Sequence, residues 1–109
     1  MTWTKLDDSF WSHPKVTGAG NEAAGAYVRM LSYCGKHLTD GRVPDEIARF
    51  IARPKVIEQL QEFSFVVKNG KGYLIPDYLE FNPSREQVLE ERRKAAERQA
   101  KSREKSRRD

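Results

Sequence analysis

The chain has 109 residues, 38% of them hydrophobic and 33% charged, with a net charge of +4. That length is room for one domain, built as a small core plus a segment that lacks one. No apolar run approaches the roughly 18 residues needed to cross a bilayer, and the opening MTWTKLDDSFW lacks the basic-then-apolar order of a signal peptide.

Residues 3–16 are dense in large apolar side chains: Trp3, Leu6, Phe10, Trp11 and Val16. Pro14 stops any long helix there, so an extended segment with a helical turn around Ser9 to Ser12 is expected, its tryptophans in the core. Base stacking is the alternative role for either tryptophan. Residues 17–21 read as a loop punctuated by Gly18 and Gly20. They form no phosphate loop, because no strand precedes them and no third glycine follows. Asn21 is a good N-cap, and a helix is predicted from there to about Lys36. Ala24, Tyr27, Val28, Leu31 and Cys34 recur at helical spacing as its buried stripe.

A turn with a short strand fits Leu38 to Pro44. Pro44 suits the first position of a new helix, and Asp45 and Glu46 then lie in a first turn that favours negative charge. Ile47, Phe50 and Ile51 are its predicted inner face, with Arg49 and Arg53 pointing away. Pro54 opens a third helix to about residue 63, with Val56, Ile57, Leu60 and Phe63 turned inward. Residues 65–68 and 73–75 are rich in β-formers on either side of Asn69-Gly70, the strongest hairpin signal in the chain. Pro76 ends the second strand. The predicted fold is mainly α with a small β-hairpin (α+β): a winged helix-turn-helix over 1–83, followed by a long charged helix over 84–109.

Beyond Asn82-Pro83-Ser84 there are no aromatic residues, and Val88 and Leu89 are the only sizeable apolar ones. Ser84 and Gln87 fit a capping box. Glu90 and Lys94, Glu97 and Lys101, and Glu104 and Arg108 are spaced for i,i+4 ion pairs. Without an apolar heptad this is no coiled coil, and the helix should fray toward Asp109. Residues 1–83 hold ten Lys/Arg and ten Asp/Glu, so residues 84–109, with ten and six, carry the whole positive excess. Such basic blocks contact nucleic acids or partners, or serve as a solvated face.

The segments SFWSHPKV, LTDGRVP and GYLIPDYLEFNPSREQVLEERRK together resemble the winged-helix N-terminal domains of replication-initiation (replisome-organiser-like) proteins from actinobacterial phages and prophages. The resemblance spans nearly the whole chain and implies a phage-encoded DNA-binding or replication accessory protein in the bacterial cytoplasm. Its motifs are structural and transfer no functional residues. Replisome organisers usually continue into a second domain that contacts a helicase loader or forms oligomers, whereas this sequence ends after its charged helix.

Catalysis finds little support, and no enzyme is expected. A single cysteine, Cys34, excludes an internal disulfide framework and fits a reducing compartment. Cys34 and His37 read as core and helix-end residues rather than a nucleophile and its base. A zinc site would need about four ligands, and neither they nor His13 supply a set, so no metal or other cofactor is expected. DNA is the leading partner. In this fold the third helix enters the major groove and the hairpin touches the backbone. The outer face of that helix carries Lys55, Glu58, Gln61 and Glu62, with Gln59 at its edge. Gln can read adenine and Lys can bind phosphate, whereas two glutamates oppose DNA. The candidate contacts are therefore Arg42, Arg49, Arg53, Lys55 and Gln59 on the body, Lys68 and Lys71 in the wing, and Arg98, Lys101, Arg103, Lys105, Arg107 and Arg108 in the tail. The rival reading is a host or phage replication or transcription protein as partner, with the tail as docking helix through Val88 and Leu89. Self-association is a third, and the oligomeric state stays open.

Overall fold

Two prolines start two of the helices. In the computed structural model, which describes residues 3–108 (Arg108 by its backbone alone), Pro14 is the first residue of α1 (Pro14–Ala19) and Pro54 the first of α4 (Pro54–Glu62). A proline at this position loses no hydrogen bond, because the first N–H groups of a helix have no internal acceptor. His13 caps α1, its Nδ1 accepting from the Lys15 N–H at 3.1 Å. Residues 17–19 were expected in a loop; they complete α1 instead. Gly18 is a packing seat there, since a Cβ on it would lie 2.6 Å from the Phe63 ring.

A 3-10 turn at Phe10–Ser12 precedes α1, near the expected place. α2 (Asn21–His37) follows, capped by Gly20 rather than by Asn21, and it ends on Leu38 in the left-handed region. Its buried side chains are Ala23, Ala26, Met30, Leu31, Cys34 and Gly35. The inward stripe is thus rotated from the expected one: Ala24 and Tyr27 are half-buried, and Val28 is 39% exposed. α1 and α4 both pack on α2, and its buried stripe includes the small residues Ala23 and Ala26.

β1 (Arg42–Pro44) leads into α3 (Asp45–Ile51). Ala48 is fully buried between half-buried Ile47 and Ile51, and Phe50 is 78% exposed. Phe50 was expected inside. In a seven-residue helix the 47/48/51 face is already filled, and Phe50 projects beyond it. Ala52 and Arg53 are extended, which breaks the chain before α4. Val56, Ile57 and Leu60 of α4 are buried as predicted, with Phe63 half-buried.

The hairpin pairs β2 (Val67–Asn69) with β3 (Gly72–Leu74). Gly70 opens its two-residue turn at φ +56°, a left-handed value that glycine reaches without the cost a Cβ brings. β1 pairs with the other edge of β3, giving an antiparallel sheet in the order β1-β3-β2. Phe65 and Val66 were expected in the first strand. They are buried short of it, their N–H groups held by the Leu60 carbonyl at 2.8 and 3.3 Å.

Trp3 and Trp11, expected in the core, are 81% and 82% exposed. The N-terminal segment crosses the surface and is tied down where the Lys5 N–H donates to buried Asn82 Oδ1 at 3.0 Å. A short helix, α5 (Tyr78–Phe81), precedes Asn82. Then α6 (Arg85–Arg108) runs for 24 residues. The predicted capping box is present: Ser84 Oγ accepts from the Gln87 N–H, and Gln87 Oε1 accepts from the Ser84 N–H. Val88 and Ala95 are half-buried, and the other residues from 85 to 107 are exposed. At 1.5 Å per residue α6 is about 36 Å long, which accounts for the 62 Å long axis of the molecule.

Candidate nucleic-acid interface

α4 buries one face, so the opposite one is fixed: Lys55, Glu58, Gln61 and Glu62 are exposed, and Gln59 is half-buried at the edge. One cation faces two carboxylates on the helix that would enter a groove. Arg53, at the N-cap of α4, makes a two-pronged contact with Glu22 of α2, Nε to Oε1 and Nη2 to Oε2, both at 2.8 Å. That fork holds the Glu22 carboxyl below its ordinary pKa and raises that of Arg53. Arg49 pairs with Asp45 one turn back at 2.9 Å. Two of the arginines expected to serve phosphates are thus already engaged by carboxylates.

Arg42 is exposed on edge strand β1. Lys68 on β2 lies over the Tyr73 ring, 4.8 Å from its centroid, and Lys71 is exposed in the turn. Among the described residues, Arg42, Lys55 and Lys71 make no ion pair. The tail cations Arg98, Lys101, Arg103, Lys105 and Arg107 are exposed on α6, and Arg98 reaches Glu91 at 3.4 Å. The side chain of Arg108 lies outside the described residues. These groups are spread over β1, α3, α4, the hairpin and α6.

One neighbouring cation was not singled out from sequence. Arg29 of α2 lies over the exposed Phe50 ring at 5.8 Å and donates to the Ile51 carbonyl at 3.2 Å. Its position seven residues after Glu22 places it on the same outer face of α2, which was the available signal.

A cavity of about 400 Å³ is lined by Phe10, Val16, Tyr27, Leu31, Phe65 and Tyr78 among others. Tyr27 stacks on Phe10 at 5.8 Å and leans on Phe65 at 4.9 Å. Lys15 lies over Phe65 and donates to the Ser64 carbonyl. Burial, with a smaller contribution from Asp77, pushes the Tyr27 hydroxyl up to about 12. Cys34 Sγ contacts the Arg42 carbonyl at 3.6 Å, and burial raises its thiol pKa. His37 instead packs its ring on Tyr33. Among the described residues no three His, Cys, Asp or Glu converge as metal ligands, and no helix is long and apolar enough to cross a membrane.

Helix α2, strand β1, the α3/α4 pair and the β2/β3 hairpin, in that order and with that sheet, define a winged helix-turn-helix fold carrying a long C-terminal helix. No family model matches the chain, and neither a curated protein nor a solved structure matches it.

Proposed function

We propose that this chain is a winged-helix DNA-binding protein that acts in phage replication initiation or its regulation and grips duplex DNA mainly through its phosphates. The observation that carries the reading is the division of charge on this fold. A body with no net charge bears a helix that holds the whole positive excess, and its Lys101, Arg103, Lys105 and Arg107 are exposed and, among the described residues, make no ion pair. Phosphate contacts dominate DNA affinity and carry no sequence information. With Glu58 and Glu62 on the outer face of α4 and Arg49 and Arg53 engaged, base readout is slight. The replication setting rests on the sequence resemblance alone. Anisotropy of a labelled duplex tests the reading: affinity falls steeply between about 50 and 200 mM salt if several phosphates are neutralised. Affinity that holds across that range overturns it.

A second reading is favoured by the exposed aromatics Trp3, Trp11 and Phe50. Aromatic and arginine side chains anchor protein interfaces, and Phe50 lies beside Arg29. On this reading the chain binds and redirects a replication or transcription protein of the host. Capture from host lysate with and without nuclease separates the two: partners lost with nuclease came through DNA.

A further inference from the structure

We propose that Arg93 is a carboxylate clamp on α6: it holds Glu90 and Glu97 so that Lys94, Arg98, Lys101 and Lys105 stay open to a nucleic-acid phosphate backbone. The inference rests on the DNA reading and assigns a surface and a positioning residue to it.

The spacing sets up a competition. Positions 94, 98, 101 and 105 are separated by four, three and four residues, so they form one row along the helix. The row spans about 16 Å, with one cation per turn of ~5.4 Å. Glu90 and Glu97 lie one turn N-terminal to Lys94 and Lys101, the favourable order for ion pairs. Left to themselves, both glutamates would neutralise half the row.

They are held elsewhere. Arg93 Nη2 and Nε contact the two oxygens of Glu90 at 2.5 and 3.1 Å, and its Nη1 contacts Glu97 Oε1 at 2.5 Å. A guanidinium has five N–H donors in a planar fork and can serve two carboxylates at once. Hydrogen bonding from Arg93 keeps the Glu90 carboxyl below its usual range. Among the described residues, Lys94, Lys101 and Lys105 are left with no ion pair. Arg98 has only the long contact to Glu91, with both side chains well exposed. Exposed pairs of this kind add little stability. Their consequence is where the positive charge sits.

The test compares four full-length proteins on one labelled duplex at about 50 mM salt: wild type, Arg93→Ala, the double variant Glu90→Gln/Glu97→Gln, and all three changes together. Circular dichroism checks that α6 stays helical in each. Arg93→Ala should weaken binding roughly tenfold and flatten the slope of log K against log salt by about 1.8, because two lysines leave the phosphates. In the glutamine background the same change should move neither quantity, because the two carboxylates that Arg93 holds are no longer there to capture Lys94 and Lys101. Equal weakening in both backgrounds makes Arg93 a direct phosphate contact and overturns the clamp. No effect of Arg93→Ala in the wild-type background also overturns it. Binding by none of the four removes the DNA reading together with the clamp, an outcome distinct from the other two.

Discussion

Asp40 Oδ1 accepts a hydrogen bond from the backbone N–H of Arg85 at 2.7 Å, joining the turn before β1 to the first residue of α6 across 45 positions. The Arg85 N–H is one of the donors a helix start leaves without an internal partner, and a carboxylate there also meets the positive end of the helix dipole. Asp40 itself has φ +54°, a conformation that Asn and Asp tolerate better than Ala. Asp40→Ala should therefore cost about 1–2 kcal/mol and loosen the root of α6. Asp40→Asn, which keeps the acceptor and the backbone preference, should cost much less. Urea denaturation of the three proteins checks the order, and equal stabilities would show that the contact does not anchor the helix.

Leu60 and Phe50 make a paired test of the core. Leu60 is fully buried in α4, and Phe50 is largely exposed on α3. Leu60→Ala should destabilise by about 2–5 kcal/mol through lost burial and a residual cavity. Phe50→Ser should change stability by no more than about 0.5 kcal/mol. A large loss from Phe50→Ser would return that ring to the core.

The legible parts of the fold were those written in local chemistry. Pro54 marked the start of α4, Asn69-Gly70 marked the wing, and Ser84 with Gln87 marked the cap of the tail, while Pro44, expected as the first residue of α3, is its N-cap at the end of β1. What stayed hidden depends on contacts distant in sequence. The inward face of α2 is set by the helices packed on it, α1 and α4, so the helical spacing of Ala24, Tyr27 and Val28 misdirected the stripe. Gly18 read as loop punctuation because its reason, the ring of Phe63 against it, lies 45 positions away. Trp3 and Trp11 read as core by size alone. At the candidate site, the basic residues were visible but their engagement was not: nothing local to Arg53 indicates that Glu22 faces it across two helices.

Gly72 faces β1 so closely that a Cβ would lie 2.5 Å from the Val43 carbonyl oxygen and 3.1 Å from Pro44 Cα. Both are backbone atoms and cannot swing aside. Gly72→Ala should destabilise by more than about 1 kcal/mol and separate β1 from the hairpin. Amide exchange should then quicken at Ile75, whose N–H donates to the Gly41 carbonyl at 2.9 Å. Gly70→Ala leaves open space around its Cβ and strains only the turn. Unchanged exchange in Gly72→Ala would contradict the close approach.

Tyr27 gives a pH dependence with a defined sign. Its hydroxyl is raised from 10.0 to about 12, mainly by burial and then by Asp77. The folded state thus holds this proton more tightly than the unfolded state. The resulting stability is complete below pH 10 and is lost as pH rises to about 12. Tyr27→Phe should flatten that part of the stability profile. A profile that declines identically in both proteins between pH 10 and 12 would assign the loss to other groups.

The most direct measurement is the salt slope of duplex binding, log K against log salt, for the whole chain and for the chain shortened after Glu97. Each phosphate neutralised contributes about −0.9 to that slope. Removal of residues 98–109 should weaken binding and flatten the slope by several units, because this stretch holds six Lys/Arg against two Asp/Glu. Equal affinity and slope in the two proteins would contradict this, moving the binding to the body or to a protein partner.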